Sequence, residues 1–265
     1  MAVTGRTGTS AFRCYTPYMN SAEVRFLGSG DAFCAAGRQQ AAYLVRTGET
    51  VFLLDCGATA LASLKHHGVD TASIDTILLS HLHGDHFAGL PFLFLQYMFQ
   101  TPRRRPLQIL GPPGTQDRVS QLFAAMYRDL AAKPFPFGLE YTELLPQKAE
   151  EIGSLHIEPF LVPHQETEIS LGLGIRFGRH RILYSGDTGW TEELITHSQG
   201  TDLFICECTY FETRLPIHLD YPRIWENHRR FGTSRLVLTH LGHEVLQRSS
   251  QIELELANDH LVIQL

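Results

Sequence analysis

Within the six positions His81-Leu82-His83-Gly84-Asp85-His86, the chain places three imidazoles and one carboxylate. Imidazole nitrogen and carboxylate oxygen are the donors that zinc and its neighbours favour, and the segment offers no thiolate. In an extended stretch, residues two apart face the same way, so His81 and His83 can reach one ion. Asp85 and His86, beyond the turn that Gly84 permits, are displaced enough to serve a second ion nearby. A solvated polar loop is the bland alternative. It fits poorly, because histidines at this density add little to a strand or a helix and rarely gather by chance.

Four donors do not complete two sites, so partners must come from elsewhere in the chain. Three downstream residues each follow a run that reads as a strand: His164 after Phe160-Leu161-Val162-Pro163, Asp187 after Ile182-Leu183-Tyr184-Ser185-Gly186, and His240 after Leu236-Val237-Leu238-Thr239. Two dications about 3.5–4 Å apart lower the pKa of a bridging water, so that hydroxide is available near neutral pH, and clamp the charge growing on an attacked phosphoryl or carbonyl oxygen. Asp85 can both ligate and orient that hydroxide, and Asp55 is a candidate to hold a ligand imidazole in one tautomer. The mixed nitrogen and oxygen set suits zinc, with manganese and iron as alternatives.

The elements that must position these groups are short. Apolar runs broken by Gly- and Asp-rich turns predict strands at 23–27, 41–45, 51–54, 76–79, 107–110, 155–162, 169–177, 181–184, 203–206, 235–239 and 261–263. Helical spacing covers 58–67, closing at Gly68, and recurs at 88–99, 116–131 and 221–231. Strand-rich halves, each with helices, imply an α/β (α+β) chain in which two sheets pack face to face with helices outside. Residues 1–22 are polar and turn-rich and are expected to form a poorly ordered leader, with 23–265 as a single domain.

Composition narrows the class. A chain of 265 residues that is 43% hydrophobic and 19% charged has a core to bury, which excludes disordered and fibrous classes. The net charge of -6 gives no global attraction to nucleic acid or anionic membrane. Five cysteines, an odd number without regular spacing, point to a reducing compartment rather than a disulfide framework. No apolar run approaches the ~18 residues that span a bilayer, and the N-terminus lacks a secretory apolar region. A cytoplasmic protein with no membrane partner is the expectation.

Several segments together carry a resemblance: Phe26-Leu27-Gly28-Ser29-Gly30, Leu53-Leu54-Asp55-Cys56-Gly57, Ser80 to His86, Gly111-Pro112, Ser185-Gly186-Asp187-Thr188, Cys206-Glu207-Cys208-Thr209-Tyr210 and Leu238-Thr239-His240. From about Phe26 onward the chain resembles the metallo-β-lactamase superfamily and, within it, the branch of ribonuclease Z and related phosphodiesterases. The histidine cluster is very specific for the superfamily; the other segments point to the branch less sharply. The resemblance implies a four-layer αββα sandwich with the site along one edge of the two sheets. It implies that His81, His83 and His164 hold one metal, that Asp85, His86 and His240 hold the other, and that Asp187 bridges both. It also implies an acid for the leaving oxygen: a histidine ahead of the last ligand histidine, held by the glutamate of a Glu-x-Thr segment. The matching residues are His218 and Glu207, and their pairing would raise the imidazole pKa and make His218 a usable general acid. The plain alternatives are a surface-loop histidine and a strand glutamate on an exposed face. Cys206 and Cys208 read as small buried apolar residues.

In one place the chain departs from ribonuclease Z, which carries a protruding tRNA-binding arm between the third metal histidine and the bridging aspartate. Only residues 165–186 lie there in this chain, and they read as strands and a turn. Without an arm or a basic stripe, long RNA lacks its electrostatic footing. The expectation is a phosphodiesterase-like hydrolase of a small ester, such as a cyclic or modified nucleotide. Hydrolysis of an acyl ester, lactone or thioester is the first alternative, against which the pair of Glu207 and His218 speaks. A non-catalytic metal-binding protein is the second, against which the intact ligand set speaks. A homodimer is compatible with the resemblance. Arg103-Arg104-Arg105 reads as a solvated turn; His66, His67, His156, His180, His197, His228 and His260 read as surface residues, and His243 as a neighbour of the cleft.

Overall fold

Val24, Phe26, Tyr43, Val45, Phe52 and Leu54 face one side of their strands, while Leu27, Ala42, Leu44 and Leu53 face the other, and both sets are buried. A sheet covered on both faces demands apolar residues at consecutive positions, which is why these strands read as continuous apolar runs. The computed structural model describes residues 21–265. Of the expected leader, residues 1–22, only Ser21 and Ala22 fall within the described residues. Ala22 is buried and exchanges backbone hydrogen bonds with Leu265.

The first sheet holds β1 (Glu23–Gly28), β2 (Ala42–Arg46), β3 (Val51–Leu54), β4 (Thr76–Leu78), β5 (Leu107–Gly111) and β6 (Leu139–Glu143). The second holds β7 (Glu150–Ile152), β8 (Leu155–Val162), β9 (Ser170–Phe177), β10 (His180–Tyr184), β11 (Leu203–Glu207), β12 (Leu236–Thr239) and β13 (Glu255–Leu256). The last strand, β14 (Val262–Gln264), returns to the first sheet, giving the orders β14-β1-β2-β3-β4-β5-β6 and β13-β12-β11-β10-β9-β8-β7. Between the sheets lie Phe26, Tyr43, Phe52 and Leu78 from one side and Ile157, Leu173, Ile182 and Ile205 from the other. Helices α1 (Ala60–His66), α2 (Gly84–Phe87), α3 (Leu90–Leu95), α4 (Thr115–Met126) and α5 (Arg128–Ala131) cover the outer face of the first sheet. On the second sheet, α6 (Glu193–Ser198), α7 (Tyr221–Asn227) and α8 (His243–Gln247) bury Leu194, Ile224 and Val245. The layers are therefore αββα, as the resemblance implies. Among the described residues no helix is long and apolar enough to cross a membrane.

Strand direction positions the site. β3, β4 and β5 run parallel, as do β10, β11 and β12. β8 is antiparallel to β9, which is antiparallel to β10, so β8 shares the direction of β10. Asp55, Ser80-His81, His164, Asp187, Glu207 and His240 all stand at or just past the carboxyl ends of these strands, where open α/β sheets place their ligands.

The structure departs from expectation where local pattern is overruled. The helix expected over 88–99 is split: α2 ends before Gly89, α3 starts at Leu90 with Pro91 in its first turn, and Gln96–Gln100 forms a π-helical turn. Gly89 is pinned because a Cβ there would lie 2.2 Å from Gly57 O and 2.7 Å from Cys56 O. The helix expected over 116–131 breaks at Tyr127, whose φ of -138° and ψ of 63° divide α4 from α5. Arg103 is not solvated. It is buried, donates to Ala72 O and Pro106 O, and lies over the ring of Tyr97. His180 is likewise buried.

Candidate metal centre and its acid

Asp55 sits at the turn after β3 with φ of 55° and is fully buried. Its Oδ1 accepts the Ser80 N–H at 2.7 Å. Its Oδ2 accepts from the Ser80 hydroxyl at 2.8 Å, the Tyr184 hydroxyl at 2.6 Å and His86 Nδ1 at 2.7 Å. This carboxylate ties the ends of β3, β4 and β10 together and fixes His86 with Nδ1–H donating, so that Nε2 offers its lone pair.

The same reasoning assigns the other rings. The Ser80 hydroxyl gives its proton to Asp55, so it accepts from His81 Nδ1 at 3.0 Å. His164 Nδ1 donates to Ile217 O at 2.9 Å. The Thr209 hydroxyl donates to Glu207 at 2.8 Å and therefore accepts from His240 Nδ1 at 2.9 Å. In each of His81, His86, His164 and His240, a proton on Nδ1 leaves Nε2 with the lone pair that a metal needs. His83, which is exposed, brings Nδ1 to 3.0 Å from His164 Nε2.

These atoms converge in two groups. The ligand atoms of His81, His83 and His164 lie within 4.8 Å of one another, as do those of Asp85, His86, Asp187 and His240. Asp187 Oδ2 stands 3.3 Å from His86 Nε2, 3.4 Å from His240 Nε2, and 3.8 Å from the Nε2 atoms of both His81 and His164. Asp85 Oδ2 lies 3.3 Å from His86 Nε2 and 3.2 Å from His240 Nε2. Ligand atoms held about 2.0–2.1 Å from a tetrahedral ion stand about 3.4 Å apart, so the second group already has the edge lengths of a coordination shell. Asp187 faces both groups, as a bridging carboxylate must.

The donors fit a divalent cation on a further ground. His81 Nε2, His86 Nε2 and Asp187 Oδ1 are buried without a hydrogen-bond partner. Each such atom costs about 1–3 kcal/mol when left dry, a cost that coordination removes. Burial holds His81 and His164 below the ordinary histidine pKa, and partial desolvation together with the His164 ring does the same for His83, which keeps all three neutral and able to ligate. At His86 and His240, burial opposes the charge, but Asp187 and Asp85 outweigh it and raise the pKa. Burial works against the charge of Asp85 and Asp187 too, and the neighbouring imidazoles hold both carboxylates well below their usual range. A cation would replace the protons that these groups otherwise share.

Beside the centre, Glu207 at the end of β11 is buried and fully engaged. Its Oε1 accepts the Thr188 N–H at 2.7 Å and His218 Nδ1 at 2.8 Å, and its Oε2 accepts the Thr209 N–H at 3.2 Å. The His218 ring stacks on His240 at 5.7 Å and meets the His164 ring edge-on at 4.8 Å, so it touches a ligand from each group. Burial disfavours its charge, yet Glu207 prevails and lifts the pKa to about 9. Gly189 lets the loop that delivers His218 close down, for a Cβ there would lie 1.7 Å from Pro216 O. Besides Asp55, two other positions here adopt left-handed backbone, His240 at φ of 53° and Gly186 at φ of 58°. Non-glycine residues hold such angles only where their surroundings over-determine them.

All seven residues expected as ligands, together with His218 and Glu207, are thus brought to one rim, and Asp55 holds His86. Sequence reasoning missed Ser80 and Tyr184 as partners of Asp55, Thr209 as the support of both His240 and Glu207, and the Ile217 carbonyl as the support of His164. Thr209 had a signal in the Glu-x-Thr segment; the others are long-range contacts without one. His243 lies exposed at the start of α8, three residues past His240.

The sequence profile of the family described as "Anti-Pycsar protein Apyc1" matches residues 22–262. A ribonuclease Z of a Mycobacterium species is 29% identical over 174 residues, covering 63% of this chain and 61% of that protein. The match thus spans less than two thirds of that relative's length. The metallo-β-lactamase fold protein YhfI from Bacillus subtilis superposes with a TM-score of 0.74 at 22% identity, covering 92% of this chain and 99% of its own. The short form of human tRNase Z also gives 0.74, at 24% identity, covering 91% and 98%.

Proposed function

We propose that this chain, which belongs to the anti-Pycsar Apyc1 family and has the metallo-β-lactamase fold, is a ribonuclease Z-like hydrolase, a dinuclear phosphodiesterase cleaving a small phosphoester, with a cyclic or modified nucleotide as the leading substrate. The observation that carries this reading is the pair of Glu207 and His218 set against both ligand groups. Acyl transfer has less need of such a pair, whereas expulsion of an alkoxide from phosphorus calls for an acid.

In this reading His81, His83 and His164 would hold one cation and Asp85, His86 and His240 the other, with Asp187 available to both. When bound, two divalent cations, zinc foremost, make water nucleophilic near neutral pH and stabilise charge on the phosphoryl oxygens. Asp85, whose side chain is 10% exposed, is the carboxylate of the second group that remains open to solvent, and it accepts a hydrogen bond from the attacking water. His218 keeps Nδ1–H on Glu207 and delivers the proton on Nε2 to the leaving oxygen. Its raised pKa keeps that proton in place at neutral pH. The segment 165–186, where a tRNA-binding arm would insert, is largely filled by β9 and β10, which supports a small substrate over long RNA.

The test is hydrolysis of bis-p-nitrophenyl phosphate and of a panel of cyclic nucleotides by protein loaded with zinc or manganese. Turnover that a chelator abolishes is expected. Complete indifference to every phosphodiester, with turnover of lactones or thioesters instead, would overturn the proposal.

A further inference from the structure

Phe33 is 86% exposed, the most exposed large hydrophobic side chain among the described residues. The loop that carries it is nonetheless firmly built. The Asp31 carboxylate accepts the Phe33 N–H at 3.2 Å and the Ala35 N–H at 3.0 Å, and Gln40 Nε2 donates to Ala32 O at 3.2 Å. Cys34 and Ala36 are both held at φ of 54°, left-handed angles that residues with a Cβ rarely adopt. A loop that keeps two strained residues in order to hold a phenyl ring in water has the marks of a functional rim.

The anchors of this loop lie at the Asp85 and His240 half of the centre. Gly30 bridges Leu241, the residue after His240, and Leu241 N–H donates to Ser29 O at 2.9 Å. On the other flank Gln40 accepts the Ala58 N–H at 3.0 Å. Gly57 packs there so tightly that a Cβ would lie 2.4 Å from Asp85 O and 2.8 Å from Gln40 Cβ. A second apolar wall faces solvent on the loop that ends in His218: Leu215 is 39% exposed and Ile217 is 40% exposed, and the Ile217 carbonyl holds His164. Helix α8 links the two walls. Glu244 accepts the N–H groups of Phe211, Glu212 and Thr213 at 3.1, 2.8 and 3.0 Å, while the same helix packs on the turn Ala35–Gly37.

We infer that Phe33, with Leu215 and Ile217 as the further exposed apolar side chains of the rim, grips the flat aromatic part of the substrate, the heterocycle of a nucleotide, and that Phe33 sets the preference for aromatic over aliphatic phosphoesters. The inference rests on the phosphoester reading above and deepens it. A ring stacked on phenylalanine gains through offset or edge contacts that an alkyl group cannot make. Phe33 touches no reacting atom in this account; it selects.

The test uses the full chain loaded with zinc and reads binding rather than turnover. Phenylphosphonate and methylphosphonate carry the same anionic head and differ in the aryl group alone. By calorimetry, wild type is expected to bind the phenyl compound about tenfold more tightly, Phe33→Ala to bring the two within about twofold, and Phe33→Trp to keep the preference. Equal affinities in wild type, or an undiminished preference in Phe33→Ala, would overturn the inference. Sedimentation velocity on the same samples is expected to give one mass for both proteins; a larger assembly that Phe33→Ala dissociates would make Phe33 a subunit contact and overturn it as well. Because both ligands resist hydrolysis, failure of the phosphodiesterase reading would show separately, as absent turnover of bis-p-nitrophenyl phosphate.

Discussion

Replacing Asp55 with asparagine exchanges a single carboxylate oxygen for an NH2 group and should unsettle both the fold and the centre. The carboxylate accepts on both sides: Oδ1 from the Ser80 N–H, Oδ2 from the Ser80 hydroxyl, the Tyr184 hydroxyl and His86 Nδ1. An amide accepts on one side only. If its oxygen keeps the Oδ2 contacts, its NH2 faces the Ser80 N–H, and a charge-assisted bond worth about 1.5–3 kcal/mol is lost. The remaining bonds lose the negative charge and weaken by several tenths to about 1 kcal/mol each. Together this is about 4 kcal/mol, a large share of the 5–15 kcal/mol typical of a folded chain. Urea unfolding in the presence of a chelator reads this loss without a contribution from metal. His86 would also lose the partner that fixes its tautomer, which lowers metal affinity about 10- to 100-fold, read by competition with a chelating dye. Tyr184→Phe is the control: it removes one donor to the carboxylate, leaves His86 on that carboxylate, and should cost about 1.5–3 kcal/mol with unchanged metal affinity. If Asp55→Asn unfolds within 1 kcal/mol of wild type and binds metal equally well, the assignment of Asp55 as the organiser of this rim is wrong.

His218→Ala should keep its full metal content and lose turnover by about 10²- to 10⁴-fold, the span of a general acid; unimpaired turnover would remove His218 from the mechanism. Gly189→Ala should lower kcat while sparing the β-sheets, because its methyl group would push on Pro216 and shift Ile217 and His218; wild-type kinetics would contradict the close approach. Glu244 gives a pH signature. Burial opposes its charge, but the Thr213 hydroxyl and the N–H groups of Thr213, Glu212 and Phe211 together prevail and lower its pKa from 4.5 to about 2. A carboxyl group whose pKa is lower in the folded chain stabilises the fold above the unfolded value, and that contribution fades as pH falls from about 4.5 toward 2. The Tm difference between wild type and Glu244→Gln should therefore be widest near neutrality and close over that acid interval; a difference independent of pH would count against the role of the carboxylate.

What could be read from the sequence, and what could not, follows from range. Strands buried on both faces, such as 42–45 in β2 and 203–206 in β11, declare themselves because consecutive positions must be apolar. β6, with Leu-Glu-Tyr-Thr-Glu, and β7, with Glu-Glu-Ile, lie at sheet edges with partly solvated faces, and no apolar run marks them. The ligand residues were legible because each follows a strand whose end is fixed by the sheet. Their supports were not: Ser80 and Tyr184 meet at Asp55 from sequence distances of 25 and 129 residues, and a hydroxyl at or past the end of a strand carries no mark of its partner. Arg103 misleads for the same reason. Three arginines between prolines resemble a wet turn, and only the fold supplies the carbonyls of Ala72 and Pro106 and the Tyr97 ring that draw one of them inside.

The most direct test of the central claim is metal stoichiometry by elemental analysis on wild type and Asp187→Ala, each stripped, reloaded with zinc and desalted. Two zinc ions per wild-type chain, falling to one or none when the shared carboxylate is removed, is the result this account predicts. A wild-type chain that holds no zinc, or an Asp187→Ala chain that keeps both ions, would contradict it.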